Sequence, residues 1–476
     1  MKPFHRENFR RENRREFARS RERNFAENAE NPPRAAVPAP QETRSRDEFV
    51  APWVQLKYFT YNPNIYPRFV GKTSGSIAPG TQVRVYGKDG SFFGHGFFNA
   101  GANIPLRIFD HARNDAGNGR TGNESDGNGG NGGGNGRAGD GNGESNETGG
   151  NGATAAPGAD FFENRLRRAA EFRTKVLNLP ARTDAFRVVH GDADGLNGLV
   201  VDKYGDVLSA EVFSLAVYQR IRGWLPILHD ALGTSRETVQ LVKGFGSMEN
   251  ARGCEDFHTP GLREVKIREN GVRYGVDFEN GHKTGFFCDQ RENRARLAEL
   301  CAGARVLDLC CYTGGFSLAA KVRGNAADVT GVDLDETAIA QARRNANLNQ
   351  TRVNFVHADA FTFTRQMQAN GAQFDVVVLD PPKLINGRDD YADGIAKYHD
   401  LNKVALPLVR RGGIFVTFSC SGLLSAENFE STVIRVAHRL GRQLQIFARS
   451  GPGADHPDIS NYPEGRYLKA LWCVVL

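Results

Sequence analysis

No stretch of this 476-residue sequence approaches the run of about 18 apolar residues that a membrane-spanning helix needs, so no such helix and no membrane partner is expected. The N-terminus has no apolar core of the kind a secretory signal carries. It is charged from Lys2 onward and too rich in Glu for a transit peptide, which leaves the cytoplasm as the expected compartment. The seven cysteines contain no Cys-x-x-Cys pair and are too few for a disulfide framework in a chain of this size. Reduced, mostly buried thiols are expected for six of them, and no metal site is expected. Hydrophobic residues reach only 39%, low for a fully globular chain, although the length allows two or three domains.

The apolar deficit is local. Residues 1–50 have few branched aliphatics, much Arg, Asn and Glu, and then Pro32-Pro33 and Pro38-Ala39-Pro40, a composition that cannot order itself by burial. Within 1–25 stand nine Lys/Arg and four Glu, a balance of +5 out of +6 for the whole chain. Such an arm either binds polyanions non-specifically or serves as a solubilising tail. A second low-complexity stretch covers 116–152, with 16 glycines among 37 residues. The segment 111–159 is therefore expected to be a flexible linker or insertion.

Between these stretches, residues 53–110 predict a small β-barrel: strands at Gln82–Tyr86, Phe92–Phe98 and Ile104–Phe109, broken by glycine-rich turns. Residues 160–256 predict a central α+β domain. It has a helix over Arg165–Leu177, strands at Leu199–Asp202 and Val207–Val212, and a helix over Val217–Leu232. From 257 to 476, and most clearly after Gln290, apolar strands alternate with helical segments, the pattern of βα units around a parallel sheet.

The first such strand, Arg305–Leu309, leads through a Cys310–Gly315 turn into a helix over Phe316–Val322. Gly314-Gly315 lets the backbone approach a ligand, and the helix start presents unpaired N–H groups. The Gly-x-Gly-x-x-Gly spacing that cradles a pyrophosphate is missing, which favours a cofactor without phosphates. Strand Asp328–Val332 ends in Asp333, placed for ribose hydroxyls. A helix follows over Glu336–Leu348. Strand Val353–His357 ends in Ala358-Asp359, placed for an adenine edge. Each acid alone also fits a helix cap or turn. Asp308, Asp333 and Asp359 at successive strand ends suit S-adenosylmethionine, which has a ribose, an adenine and no phosphate.

Strand Phe374–Leu379 delivers Asp380-Pro381-Pro382-Lys383, a rigid turn able to hold the acid against a flat substrate. Strand Gly413–Phe418 delivers Ser419-Cys420-Ser421-Gly422 to the same edge. Cys420 is either a small buried thiol or a nucleophile. As a nucleophile it would add to carbon 6 of a pyrimidine and activate carbon 5, with Asp380 stabilising charge at ring nitrogen 3.

Five segments then carry a family resemblance: GHKTGFFCDQR (Gly281–Arg291), VLDLCCYTGGF (Val306–Phe316), VLDPPK (Val378–Lys383), TFSCSG (Thr417–Gly422) and DHPDISNYPEGRYLK (Asp455–Lys469). On these, Gly281–Leu476 closely resembles the bacterial ribosomal RNA large subunit methyltransferase I family. The resemblance implies a C-terminal Rossmann-like class I methyltransferase domain within an α/β protein. Before it would come a central α+β domain containing the turn His190–Leu196 and an N-terminal PUA-like RNA-binding barrel. Where that family has His-Pro-Trp, this chain has Tyr66-Pro67-Arg68.

The implied activity is S-adenosylmethionine-dependent formation of 5-methylcytosine in 23S rRNA, with that RNA or another structured RNA as partner. The oligomeric state is left open, a homodimer included. The nucleophile position falls on Cys420 and the acid before two prolines on Asp380. The cofactor positions fall on Asp308, Tyr312, Thr313, Gly314, Gly315, Phe316, Asp333, Asp359 and Asp380. Lys283, Gln290 and Arg291 would close over cofactor or RNA backbone, or else form a capping ion pair. Pro381, Pro382 and Lys383 would face the substrate. Glu464 would take the carbon 5 proton if the last hairpin folds back over the sheet edge. The rival readings are a uracil-5 or nitrogen-directed RNA methyltransferase and a non-catalytic RNA-binding assembly factor.

Overall fold

The computed structural model describes residues 44–112, 156–279 and 285–476. The expectations for the arm up to residue 43, for 113–155 and for Lys283 lie outside the described residues. No helix among those described is long and apolar enough to cross a membrane.

The first sheet comprises β1 (Trp53–Leu56), β2 (Asn64–Ile65), β3 (Val70–Thr73), β4 (Thr81–Tyr86), β5 (Phe92–Phe98) and β6 (Leu106–His111), in the order β2-β6-β5-β4-β1-β3. Alternate residues such as Val83 and Val85 on β4 face inward and join Val54, Leu56, Leu106 and Ile108 in its core. Strand β6 starts at Leu106 rather than Ile104, because Pro105 has no N–H to give a ladder. Order also begins ahead of Pro52. Phe49 is buried and stacks on Tyr86 with ring centroids 3.8 Å apart, so this short segment packs against the first sheet.

The second sheet runs β11-β10-β9-β8-β7, from β7 (Ala185–His190), β8 (Leu199–Tyr204), β9 (Val207–Val212), β10 (Arg236–Leu241) and β11 (Phe257–His258). A domain boundary at 256/257 would cut it, since Phe257 and His258 return antiparallel along β10. The helix Leu215–Leu232 starts two residues earlier than its apolar pattern predicts, because the Ser214 hydroxyl accepts from Val217 N and caps it. The helix expected over Arg165–Leu177 starts at Ala159, runs to Glu171 and widens into a π turn over Phe172–Val176. That turn carries the fully buried Arg173, whose guanidinium grips both oxygens of Asp194 at 2.6 and 2.9 Å.

The first two sheets share one aromatic core. Phe97 and Phe109 pack with Phe162 and Trp224. The Phe109 ring lies 5.1 Å from Phe162 and 5.8 Å from Phe161, and Arg165 donates to the Phe109 carbonyl. The residues flanking 113–155 therefore meet each other.

After a hairpin, β12 (Glu264–Glu269) and β13 (Val272–Asp277), comes a seven-stranded sheet. Its strands are β14 (Arg305–Leu309), β15 (Asp328–Asp333), β16 (Asn354–His357), β17 (Phe374–Leu379), β18 (Val409–Ser419), β19 (Leu444–Ser450) and β20 (Lys469–Val475). Their order is β16-β15-β14-β17-β18-β20-β19. Strands β14 to β18 are parallel, and β20 lies antiparallel between β18 and β19. The chain winds outward from β14 to β16, then crosses back to β17. This leaves a crevice beyond the carboxyl ends of β14 and β17, where open α/β sheets take ligands.

The segment between β19 and β20 straps across that edge. It is pinned by Asp455, whose two oxygens accept from Arg291 at 2.6 and 3.0 Å; neither side chain is more than 1% exposed. Asp455 also accepts from Arg187 N (2.9 Å) on β7, and its carbonyl accepts from Arg173 (2.9 Å). The surrounding cations hold its carboxyl far below the usual range even though burial opposes this. A depressed acid stabilises the fold fully above the unfolded pKa near 3.9, and that stabilisation is lost progressively as pH falls from about 4 toward the far lower folded value. At neutral pH Asp455→Ala should cost about 3–5 kcal/mol in urea unfolding, because it strands a buried guanidinium. A cost under about 1 kcal/mol would show that the pair contributes little.

Candidate active site

The loop after β14 is strained and heavily braced. Cys310 and Tyr312 are left-handed without being glycine (φ 62° and 49°), and Gly314 follows at φ 84°. Such residues persist only where surroundings over-determine them. Here Tyr312 N donates to Asp333 Oδ2 (2.8 Å), Asn345 Nδ2 to the Thr313 carbonyl (3.0 Å), and Tyr274 Oη to the Gly315 carbonyl (3.2 Å). A side chain at Gly314 would put its Cβ 2.8 Å from the Phe355 ring. The helix that follows covers the expected span in two forms: α over Gly315–Leu318, then a π turn over Ala319–Arg323.

The three strand-end acids separate into different roles. Asp308 is fully buried and accepts from Ser317 N (2.9 Å) and Oγ (2.6 Å), bracing the helix. Its Oδ1 has no hydrogen-bond partner among the described residues, and burial pushes its carboxyl up to about 7. Phe316 is likewise a core residue, its ring 5.2 Å from Phe418. Asp333 remains half-buried at the end of β15, taking Tyr312 N and Asp335 N. Asp359 remains half-buried too and caps the helix Ala360–Ala369 by accepting from Thr362 N (2.9 Å). Neither carries an ion pair with Lys or Arg among the described residues. Two unneutralised carboxylates beside a glycine turn repel phosphate and favour hydroxyls, an amino group and a positive charge. That donor set fits S-adenosylmethionine, a sulfonium nucleoside.

Asp380 extends β17 by donating its N–H to the Leu309 carbonyl (3.2 Å), which hooks it over the end of β14. Gln290 Nε2 donates to Asp380 Oδ2 (2.9 Å), and Asn293 holds the Gln290 amide oxygen (2.7 Å). Burial pushes the Asp380 carboxyl up to about 8, helped by the nearby Asp289 and Asp308 carboxylates. Pro381 is buried, whereas Pro382 and Lys383 are exposed. Cys420 follows β18 with its sulfur 4.0 Å from the Pro381 carbonyl. Ser421 locks the two turns together: its hydroxyl accepts from Ile385 N (3.1 Å) and bonds Tyr398 Oη (2.9 Å).

Two expected contacts turn out otherwise. Arg291, placed over cofactor or RNA by expectation, is consumed by Asp455 inside the protein, the ion-pair alternative. Gln290 instead positions Asp380. The strap does fold back: a Cβ at Gly422 would lie 3.6 Å from the Glu464 carbonyl, and Glu464 itself is exposed. Lys469 escaped the sequence reading. It sits opposite Ser419 in the β18–β20 ladder and donates to the Ser421 and Leu424 carbonyls, both at 2.6 Å. Burial pushes its ammonium down to about 8 while the charge of Cys420 opposes that. Its signal in the sequence, a polar residue opening an apolar strand, is too common to single out.

Comparison with known proteins agrees with this geometry. Residues 236–417 match a family described as S-adenosylmethionine-dependent methyltransferase, and residues 57–111 match a PUA-like domain. A ribosomal RNA large subunit methyltransferase I from Aeromonas salmonicida is 31% identical over 416 residues, covering 86% of this chain and 94% of that protein. The chain belongs to this family. A ribosomal RNA large subunit methyltransferase I from Pseudoalteromonas translucida is 37% identical over 321 residues, covering 66% of this chain and 80% of that one. The fold is shared with SMU.776, solved in complex with SAH: TM-score 0.65 at 18% identity, covering 84% of this chain and 92% of the other. As a member of ribosomal RNA large subunit methyltransferase I, the protein uses S-adenosylmethionine as its cofactor.

Substitution in the loop should be felt at the cofactor. Gly314→Ala combines a disfavoured φ with a clash against Phe355, so S-adenosylmethionine binding by calorimetry should weaken at least about tenfold. Unchanged binding would mean that the loop does not contact the cofactor.

Proposed function

We propose that the protein methylates carbon 5 of a cytosine in 23S rRNA in the cytoplasm, with Cys420 as nucleophile. The observation that carries this reading is the approach of the Cys420 sulfur to the turn that holds Asp380, at the crevice beside the braced loop. Carbon 5 of a cytosine is a poor nucleophile. Addition of the Cys420 thiolate to carbon 6 breaks the 5,6 double bond and makes carbon 5 electron-rich.

Asp380, with its carboxyl near 8, is mostly protonated at neutral pH. It therefore offers an O–H to ring nitrogen 3 and a carbonyl oxygen to the adjacent amino group. As the thiolate adds, the proton on Asp380 stabilises the negative charge that builds at nitrogen 3. Bound S-adenosylmethionine supplies an electrophilic methyl group to carbon 5. A base then removes the carbon 5 proton; the electron pair left behind restores the double bond and Cys420 departs as thiolate. Glu464 is the proposed base.

The remaining assignments follow from position. The backbone of Tyr312, Thr313, Gly314 and Gly315 would cradle the cofactor, Asp333 its ribose hydroxyls and Asp359 its adenine edge. Leu334, exposed between Asp333 and Asp335, offers an apolar face to a purine. Gln290 acts through Asp380. Pro381 and Pro382 would shape the slot for the base, and exposed Lys383 suits a phosphate.

Cys420→Ala should abolish 5-methylcytosine in 23S rRNA read by bisulfite sequencing; a variant that still methylates would point to a nitrogen target. Glu464→Gln should accumulate a covalent RNA–protein adduct on denaturing gels, and normal turnover would assign the proton to another base.

The pH dependence carries a sign. A required proton on Asp380 is present below about 8 and absent above it, so the methylation rate should fall on that alkaline side. The Gln290 amide favours the ionised carboxylate, so Gln290→Leu should move the alkaline limb to higher pH. An unmoved limb would assign it to another group.

A further inference from the structure

Large apolar side chains stand exposed in few places among the described residues, and four of them fall within nine positions of one loop. Tyr58, Phe59, Tyr61 and Tyr66 are 59%, 66%, 68% and 48% exposed. This loop follows β1 and reaches past the two-residue strand β2 to Tyr66, ahead of β3. Residues 57–72 contain three cations, Lys57, Arg68 and Lys72, and no acid. All three cations are exposed.

The rings are held rather than loose. Phe59 and Tyr61 meet edge to face with centroids 4.5 Å apart, and Tyr58 meets Phe69 the same way at 6.1 Å. The Arg68 guanidinium covers the Phe69 ring at 4.9 Å. Edge-to-face pairs leave ring faces open to solvent. The loop is also tied to the strap, since Asn461 donates to the Tyr61 carbonyl at 2.9 Å. Asn461 precedes Glu464 by three residues, and Tyr66 and Glu464 are both electrostatic neighbours of Tyr462. The aromatic strip therefore continues outward from the rim of the active site.

An exposed apolar patch of this density marks an interaction surface. A protein interface core would be depleted of lysine. Here cations interleave with rings, as in Lys57-Tyr58-Phe59 and Tyr66-Pro67-Arg68. That composition matches single-stranded nucleic acid, whose bases stack on aromatic faces while its phosphates meet cations. We propose that the Tyr58–Tyr66 loop is a stacking platform for the unpaired RNA bases that flank the target nucleotide. This rests on the RNA substrate named above and adds where the flanking strand is gripped.

The test is fluorescence anisotropy of the full-length protein with a fluorescein-labelled oligouridylate at several salt concentrations. Phe59→Ala/Tyr61→Ala should weaken binding about tenfold or more without changing the salt slope, because stacking releases no counterions. Lys57→Ala/Arg68→Ala should instead flatten the slope, by about 0.7 for each phosphate no longer neutralised. An unchanged thermal midpoint and unchanged S-adenosylmethionine binding would localise the aromatic effect to the loop. The proposal is overturned if the aromatic variant binds as tightly as the parent, or if the parent does not bind the oligomer. It is also overturned if the variant only disrupts a concentration-dependent dimer in sedimentation. Methylation retained by Cys420→Ala would remove the proposed chemistry and leave this platform standing, so the two failures are distinguishable.

Discussion

The candidate active site depends on a charge pair buried inside the protein. Arg291 and Asp455 are both withdrawn from water, a step that costs several kcal/mol per ion unless every remaining group is bonded. The structure meets that demand by routing three parts of the chain to one residue: the helix beginning at Arg291 and the backbone of β7 at Arg187 donate to the Asp455 carboxylate, and Arg173 from the π turn donates to its carbonyl. Each contact then sets a neighbour. The residue before Arg291 is Gln290, which holds Asp380. Downstream of Asp455 the strap passes Glu464 and Tyr467 before β20 opens with Lys469 beneath the Cys420 turn. Tyr467 donates to Asp289 at 2.7 Å, beside Asp380.

A second constraint is electrostatic. Burial raises Asp308 and Asp380 toward neutrality; repulsion from Asp333 adds to it at Asp308, and repulsion from Asp289 and Asp308 adds to it at Asp380. The half-exposed Asp333 and Asp359 stay in contact with solvent and backbone N–H groups. The crevice therefore grades from the raised carboxyls of Asp308 and Asp380 to the half-buried carboxyls of Asp333 and Asp359 at its other end. This grading follows from depth below the surface, since residue type is the same throughout.

Local pattern made much of this legible. Strands β14 and β17 and the helix Glu336–Leu348 run over the residues their periodicity predicts, and the alternation of strand and helix implies the parallel sheet that forms. Cys420 and Asp380 were readable because each ends an apolar strand of the same βα series. Arg291 was not readable, because its partner stands 164 residues away and nothing local separates a buried arginine from one that grips a phosphate. Asp308 shows the same limit: a strand-end acid reads alike whether it is fully buried or, like Asp333, stays half-buried. Both π turns were missed as well. Each is a tertiary adjustment inside a sequence with ordinary helix propensity, and the first exists where Arg173 must reach Asp194.

The aromatic clasp of Phe109, Phe161 and Phe162 has an evolutionary reading. It brings together the two chain positions from which residues 113–155 depart and return, so the separation of those positions is independent of how many residues lie between. Lengthening such a connection costs only logarithmically, about 0.6 kcal/mol per doubling. The fold on either side is therefore expected to tolerate a change of length there. The same clasp keeps the first sheet joined to the central one at the place where the chain passes between them.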